Sequence, residues 1–215
     1  MKELEENVRI IVADDHGIVR MGLIQTLKRL LPEAVITEVE DFKSMYRVIS
    51  DQQLDLAIMD VNMPNGTVQE AIDFIKIKQP KLKILIFSSQ DEELYALRYL
   101  KMGAGGYLSK QSPGAAIETA LNSMLTTGRY ASEAVKEAMF FESVSGNTKT
   151  SPVEVLSDRE LQIATKLAEG LPLKEISNQL NLHSSTISTY KNRLFEKLQI
   201  KSIPELVEIL RMYNQ

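Results

Sequence analysis

Five short apolar runs divide the first 127 residues, and an amphipathic stretch follows each of them. The runs occupy residues 8–13, 34–39, 54–59, 82–87 and 105–109, and the amphipathic stretches lie near residues 17–31, 42–50, 67–79, 91–102 and 113–127. Continuous apolar runs of this length are typical of strands buried on both faces of a parallel sheet. Because strands and helices alternate, we expect right-handed βαβ units and an α/β fold with a doubly wound, five-stranded parallel sheet.

Polar side chains stand at the ends of four of these predicted strands. VRIIVA is followed by Asp14 and Asp15, LDLAIM by Asp60, LKILIF by Ser88, and GGYLS by Lys110. In an open parallel sheet, ligands bind at the carboxyl ends of the strands. The four strand ends therefore predict one site that combines three carboxylates with a hydroxyl and an ammonium group.

Each group in this predicted site has a chemical use. Three carboxylates repel one another unless a cation lies among them, and hard oxygen ligands suit Mg²⁺. Asp60 could then act as a nucleophile and form an aspartyl phosphate, while Lys110 and Ser88 contact phosphoryl oxygens. One aspartate after a strand is more often a turn or helix-capping residue, but four strand ends of this kind favour a site.

Composition excludes several other classes of site. The chain has no cysteine, which excludes disulfides and thiolate metal sites, and its two histidines lie too far apart in sequence to suggest a zinc site. No G-x-G-x-x-G follows the first strand, and a phosphate-binding loop is absent. The apolar runs are well short of the ~20 residues that span a bilayer. The charged N-terminus lacks the apolar core of a signal peptide, so we expect a cytoplasmic protein with no membrane partner.

The chain changes character after residue 127. A further helix is predicted near residues 131–141, and the polar segment ESVSGNTKTSP that follows is typical of a flexible linker. Beyond the linker the pattern is only helical. LSDRELQIATKLAEG begins with a capping box of Ser157 and Glu160 and ends at Gly170.

Three more helices are predicted after Gly170. They are LKEISNQL, then SSTISTYKNRLFEKL with Ser184 or Ser185 as N-cap, and then IPELVEIL with Pro204 in its first turn. Two helices joined by the short turn at Asn181 within a four-helix unit predict an all-α helix-turn-helix domain.

The third helix of this domain carries most of its local positive charge. Residues from 151 onward have no net charge, but the segment 184–201 holds four basic residues and one acidic residue. Lys and Arg there could contact DNA phosphates, and short polar side chains could reach base edges. A charged helix on the surface of a protein–protein module has the same pattern, so charge alone leaves both interpretations open.

The first domain resembles the flavodoxin-like receiver domains of two-component response regulators. DDHGIVRMGL is similar to the opening of the NarL/FixJ family in particular, and the resemblance covers about residues 8–127. It implies that a sensor histidine kinase phosphorylates Asp60. It also implies a Mg²⁺ ion bound by Asp15 and Asp60, by Asp14 through water, and by the backbone carbonyl of Asn62.

The same resemblance implies roles for three further residues. Ser88 and Lys110 would contact the phosphoryl group, and Tyr107 would be an aromatic switch that reorients together with Ser88. The sequence departs from the family in the loop after Asp60. The family usually has glycine where Val68 stands, and here the glycine is Gly66.

Residues 154–212 resemble a LuxR-type helix-turn-helix, on the motifs LSDRELQIATKLAEGLPLKEISNQLNL and TISTYKNRLFEKL. TISTYKNRL is similar to the BvgA- and EvgA-type regulators, with Ser188 where the common form has Lys and Tyr190 where it has His. We expect Lys174 to meet a phosphate from the supporting helix. The predicted DNA-contacting residues are Lys174, Ser185, Thr186, Ser188, Thr189, Lys191, Asn192, Arg193, Lys197 and Lys201.

We therefore expect a receiver domain over residues 7–128, a helix and flexible linker over residues 129–152, and a DNA-binding domain over residues 153–215. The expected function is transcription regulation rather than catalysis, with at most slow autophosphorylation and autodephosphorylation at Asp60. Expected partners are a sensor histidine kinase and double-stranded promoter half-sites bound by a phosphorylation-dependent homodimer, with RNA polymerase as a further candidate.

Two alternatives remain at this point. The first is a DNA-binding regulator that works without phosphorylation and uses its receiver domain to dimerise. The second is a Mg²⁺-dependent phosphohydrolase built on the same sheet. Asn62 stands where such an enzyme would need a further acid, which disfavours rapid turnover.

Overall fold

A five-stranded parallel sheet forms the centre of the first part of the chain in the computed structural model, which describes residues 8–145 and 152–213. The strands are β1 (Arg9–Ala13), β2 (Val35–Val39), β3 (Leu56–Met59), β4 (Lys83–Ser88) and β5 (Gly106–Ser109). Every pairing is parallel and the strand order is β2-β1-β3-β4-β5. The predicted fold class is confirmed, and each predicted strand lies within two residues of an observed one.

Five helices connect and follow the strands: α1 (Gly17–Leu30), α2 (Phe42–Asp51), α3 (Val68–Lys78), α4 (Glu92–Met102) and α5 (Gly114–Thr127). Local sequence explains several of the helix ends. The Thr67 side chain accepts a hydrogen bond from the Glu70 backbone while the Glu70 carboxylate accepts one from Thr67, which closes a capping box at the start of α3. Gly103 takes a left-handed conformation that ends α4.

The sheet is buried on both faces, so its polar groups come together only at the strand ends. All four residues of β3 are buried, and so are four of the five in β1. On one face, Ile10, Val12 and Ile58 pack in a core cluster with Leu27 and Leu121 from α1 and α5. The chain leaves β1 on one side to form β2 and returns on the other to form β3. A strand order that reverses in this way opens a crevice at the carboxyl ends of β1 and β3.

A sixth helix, α6 (Glu133–Ser145), follows α5. It is longer than the predicted helix at residues 131–141. The Tyr130 backbone N–H donates to the carbonyl of Gly105, and Tyr130 forms a parallel bridge with Gly106, so the chain is attached to the β5 edge before α6 begins. Most of the predicted linker lies outside the described residues.

The chain divides into two compact units, Met1–Val144 and Ser145–Gln215. Where it is described, the second unit is helical: a 3₁₀ turn at Pro152–Val155 precedes α7 (Asp158–Ala168), α8 (Leu173–Gln179), α9 (Ser184–Leu198) and α10 (Ile203–Tyr213). The predicted capping box of Ser157 and Glu160 is confirmed. Across the described ranges, no helix combines the length and the apolarity needed to cross a membrane.

The predicted N-cap of the third helix in this unit is wrong. Residue His183 precedes α9 in an extended conformation, and among the described residues its side chain makes no capping hydrogen bond. Ser184 is already the first helical residue, and its hydroxyl lies 3.4 Å from the Ser177 hydroxyl of α8. A contact between the two helices has therefore replaced the local cap that the sequence pattern suggests.

Candidate functional site

Two of the predicted carboxylates are held at neighbouring strand ends. The Asp14 backbone N–H donates to the Val39 carbonyl at 3.1 Å, and the Asp60 backbone N–H donates to the Ala13 carbonyl at 2.8 Å. These bonds continue the strand ladders by one residue and set the direction of both side chains. Asp14 and Asp60 are each only 2% exposed. The sheet therefore brings together two buried carboxylates from positions 46 residues apart in sequence.

Lys110 places its ammonium group between these two carboxylates. Its Nζ atom lies 2.8 Å from Asp14 Oδ2 and 3.1 Å from Asp60 Oδ2. The contact with Asp14 is an ion pair without the directionality of a hydrogen bond. The Lys110 backbone N–H donates to the Ser88 carbonyl, which ties the lysine to the end of β4. The buried ammonium group of Lys110 therefore pairs with two buried carboxylates.

Burial raises the pKa of Asp60, the attraction of Lys110 opposes that shift, and the neighbouring charge of Asp14 adds to it. Asp60 Oδ1 is buried and has no hydrogen-bond partner among the described residues. A buried carboxylate oxygen without a partner is costly unless a ligand completes the site. Because two carboxylates share one ammonium group, the pocket has excess negative charge. Asp60 Oδ1 remains an acceptor without a donor among the described residues.

Asp15 and His16 form the exposed rim of this pocket. His16 Nδ1 lies 2.7 Å from Asp15 Oδ1 and 3.3 Å from Asp14 Oδ1. Candidate ligand atoms of Asp14, Asp15, His16 and Asp60 all lie within 4.8 Å of one another. The three carboxylates and the unpartnered Oδ1 atom fit a hard divalent cation such as Mg²⁺. His16 is also the residue that precedes α1, as its position in the sequence suggests.

The loop after Asp60 has a shape that accounts for its displaced glycine. Asn65 takes a left-handed conformation with φ of 65°. A Cβ atom on Gly66 would lie 2.7 Å from Phe42 Cβ, so only glycine allows the loop to pack this closely against α2. Val68 is buried as the first residue of α3. Asn62 is exposed at the start of this loop.

Ser88 and Tyr107 are buried beside one another on neighbouring strands. The Tyr107 hydroxyl donates to the backbone carbonyl of Gln90 at 2.7 Å, and the Gln90 backbone N–H donates to Ser88 Oγ at 3.2 Å. Burial raises the pKa of Tyr107, and a hydrogen bond with Ser88 opposes that shift. The sequence analysis missed Gln90, because a polar residue in a loop carries no signal of what it will contact.

On α9, five of the predicted DNA-contacting residues are exposed: Ser185, Thr189, Asn192, Arg193 and Lys197. Thr186, Ser188 and Lys191 are half-buried. The hydroxyls of Ser188 and Thr189 donate to backbone carbonyls one turn earlier, so their oxygen atoms remain acceptors for an outside group. Lys174 near the start of α8 and Lys201 between α9 and α10 are also exposed.

Lys197 has a partner that the sequence analysis did not foresee. Its Nζ atom lies 2.6 Å from Glu160 Oε2, and the Glu160 side chain is only 4% exposed. Burial raises the pKa of Glu160, but hydrogen bonds from Lys197 and Ser157 outweigh it and leave that pKa lowered. Lys197 therefore joins α9 to α7, and its ammonium group, which has three N–H donors, uses one of them on Glu160.

Two family models match the chain. Residues 10–122 match the response regulator receiver domain, and residues 154–210 match the luxR family of bacterial regulatory proteins. Both matches fall within the units described above. They agree with the likeness that DDHGIVRMGL and TISTYKNRLFEKL suggested.

Relatives align over almost the whole chain. The oxygen regulatory protein NreC of Staphylococcus carnosus is 32% identical over 208 residues, which is 94% of this chain and 95% of that protein. The response regulator GacA of Pseudomonas aeruginosa is 29% identical and covers 93% of each chain. Neither relative bears on the narrower likeness to BvgA- and EvgA-type regulators, which stays a prediction.

Solved structures give the same picture. This chain is similar to RcsB from Salmonella enterica serovar Typhimurium bound to promoter rprA in the presence of the phosphomimetic BeF3−. The TM-score is 0.61 at 25% identity, over 96% of this chain and 99% of that one. A second RcsB structure, of two dimers bound to two parallel DNAs, has a TM-score of 0.58 at 25% identity over 96% and 98% of the two chains.

Proposed function

Because this chain belongs to the response regulators that join a receiver domain to a LuxR-family DNA-binding domain, we propose that it relays a phosphoryl signal from a sensor histidine kinase to double-stranded DNA. Membership in this family makes it a DNA-binding transcription regulator of the NarL/FixJ type and not an enzyme. We propose a receiver domain that ends at residue 128 and a DNA-binding domain that begins at residue 153. We also propose that the protein acts in the cytoplasm.

The single observation that carries the proposal is the Asp60 carboxylate itself. It is buried, it is paired with Lys110, and its Oδ1 atom has no partner in the described chain. An Asp60 oxygen would attack the phosphorus of the donor and form a P–O bond. The P–N bond of a phosphohistidine, or the P–O bond of a small acyl phosphate, would break at the same centre.

The neighbouring residues supply what such a transfer needs. Lys110 can move from two carboxylates toward a phosphoryl oxygen without leaving the pocket, and Ser88 can donate to another. Asp14, Asp15, Asp60 and the Asn62 carbonyl would hold a Mg²⁺ ion. That ion would supply positive charge so that the phosphoryl group can approach the carboxylates.

The proposed output surface is the exposed face of α9. Its short polar residues can approach base edges. Arg193 and Lys191 of α9 can neutralise phosphates, together with Lys174 of α8 and Lys201 after α9. We propose that phosphorylation favours a homodimer whose two α9 helices read half-sites about one helical turn apart, or about 34 Å. The dimers of RcsB on DNA support this arrangement. RNA polymerase remains a candidate partner.

Labelling of Asp60 tests the proposal. The purified protein is incubated with Mg²⁺ and ³²P-labelled acetyl phosphate, and the acid-stable, hydroxylamine-sensitive label is measured. We expect labelling of the wild type and of Asp73→Asn, a control in which an exposed aspartate of α3 is changed. Asp60→Asn should lose the label. Full labelling of Asp60→Asn would overturn the assignment.

A further inference from the structure

One loop residue, Gln90, contacts every group that would report the state of the phospho-acceptor site. It lies between β4 and α4, two residues after Ser88. Its backbone N–H donates to Ser88 Oγ at 3.2 Å, and its backbone carbonyl accepts the Tyr107 hydroxyl at 2.7 Å. Its side-chain Oε1 atom accepts the Tyr99 hydroxyl at 2.9 Å. The hydroxyl groups of Ser88 in β4, Tyr107 in β5 and Tyr99 in α4 therefore all hydrogen-bond to Gln90.

The two tyrosines held by Gln90 belong to a column of three stacked rings. Tyr99 and Tyr107 lie 6.1 Å apart, centroid to centroid, with an angle of 4° between their planes. Tyr95 and Tyr99 lie 6.2 Å apart at 18°. All three residues are at most 2% exposed. Tyr95 and Tyr99 come from α4 and Tyr107 from β5, so the column joins a helix to the edge strand of the sheet.

The Gln90 side chain is directed into the protein rather than toward the carboxylates. Its Oε1 atom is used by Tyr99, and its Nε2 atom is buried without a hydrogen-bond partner among the described residues. A buried amide that satisfies one oxygen and leaves a donor unpaired is a poor choice for stability alone. The same place could hold an apolar side chain packed against the tyrosine rings.

We propose that Gln90 is a positioning residue that holds Tyr107 in its buried place and couples that place to Ser88. If Ser88 turns toward a phosphoryl group, it breaks the hydrogen bond that its hydroxyl accepts from the Gln90 N–H, and this change lets the loop that carries Gln90 adjust. The two tyrosine hydroxyls are bonded to the same residue, and the stacked rings carry the adjustment to α4. This inference rests on the proposed role of Asp60, because the buried position of Tyr107 matters only if a phosphoryl group favours it.

The rate of chemical modification of Tyr107 measures how firmly this residue is held in its buried position. Wild type, Gln90→Leu, Tyr99→Phe and the double variant are treated with tetranitromethane, and nitration of each tyrosine is followed by mass spectrometry. Each single variant removes the same hydrogen bond from one of its two ends. We expect either change to accelerate nitration of Tyr107 about threefold or more through local opening, and the double variant to show no further acceleration.

Matched controls separate this bond from general loosening. Tyr46→Phe removes a buried hydroxyl that has no partner in the described chain, and Gln69→Leu removes an exposed amide of α3. Both should leave the nitration rate of Tyr107 at the wild-type value. Nitration of Tyr46 should not change in the Gln90 and Tyr99 variants. If Gln90→Leu does not fold, Gln90→Ala and Tyr99→Phe make the same test.

Phosphorylation kinetics give the second readout. With Mg²⁺ and acetyl phosphate, the maximal labelling rate of Gln90→Leu and Tyr99→Phe should fall about threefold while the half-saturating acetyl phosphate concentration is unchanged, because Ser88 is less well positioned but the carboxylates are intact. A Tyr107 nitration rate that does not change, additive effects in the double variant, or faster nitration of every tyrosine would overturn the role of Gln90. If the wild type takes no label while nitration behaves as expected, the proposed phospho-acceptor function fails and the tyrosine contact stands.

Discussion

The carboxylate pocket and the exposed face of α9 differ in how tightly the rest of the protein determines them. In the pocket, every polar side chain is attached to a strand end and is held by an ion pair or a backbone hydrogen bond. On α9, the predicted DNA-contacting residues are exposed or half-buried, and the hydroxyls of Ser188 and Thr189 hydrogen-bond to their own helix. The pocket is therefore determined by contacts within the protein, whereas the side chains on α9 are determined less by the rest of the fold.

Removing Lys110 should have the largest effect, because it leaves two buried carboxylates without a cation. We expect Lys110→Met to lower the free energy of unfolding by about 3–5 kcal/mol at pH 8 in EDTA. Adding Mg²⁺ should restore part of the loss. Urea denaturation measures both values, and Lys43→Met, an exposed lysine of α2, is the control. Equal stability of Lys110→Met and Lys43→Met would show that the pocket is less confined than the structure indicates.

Gly66→Ala should come next, since it tests whether the loop after Asp60 is also fixed by packing. The added Cβ atom would lie 2.7 Å from Phe42 Cβ. We expect a loss of about 1–3 kcal/mol in the free energy of unfolding from overpacking. Gly114→Ala is the control, because nothing lies near its added Cβ atom. A neutral Gly66→Ala would mean that the loop shifts freely, and that its glycine has no structural reason to stand there.

Two basic residues of α9 should separate binding from stability. Arg193→Ala should weaken DNA binding and reduce the salt dependence of log K by about one unit, as expected for one lost phosphate contact. Lys197→Ala should instead lower the free energy of unfolding of the helical unit by about 1–2 kcal/mol, because its partner Glu160 is buried while its own side chain is partly exposed. Fluorescence anisotropy at several salt concentrations and thermal unfolding distinguish the two. If Lys197→Ala also reduces the salt dependence of log K by about one unit, its role between α7 and α9 is contradicted.

The pH dependence of stability should show the smallest effect. The pKa of Asp60 is raised in the folded protein, first by burial and then by Asp14, against the opposing effect of Lys110. A raised folded-state pKa gives stability that is fully present below the unfolded value of 3.8 and is lost as pH rises through the folded pKa. In EDTA, wild type should therefore lose stability relative to Asp60→Asn as pH increases above 3.8. A difference between the two proteins that does not change with pH would contradict the raised pKa.

The sequence predicted the pocket better than the helix face for a physical reason. An apolar run buried on both faces must end where polarity begins, so Asp14, Asp60 and Lys110 were located by the same pattern that located β1, β3 and β5. Strand order then brought them together. The partner of Lys197 and the contacts of Gln90 depend on tertiary packing between elements, which no local pattern records. The predicted cap of α9 is wrong for the same reason, since Ser184 contacts Ser177 of α8.

The most direct measurement compares DNA affinity with and without a phosphoryl group. A DNA duplex is first selected from a random pool by the phosphorylated protein, and its affinity for wild type and Asp60→Asn is measured before and after treatment with acetyl phosphate and Mg²⁺. We expect about a tenfold or greater gain for wild type, within the usual range of coupling between two sites, and no gain for Asp60→Asn. Equal affinity of phosphorylated and unphosphorylated wild type would contradict the relay and favour a regulator that binds DNA without this signal.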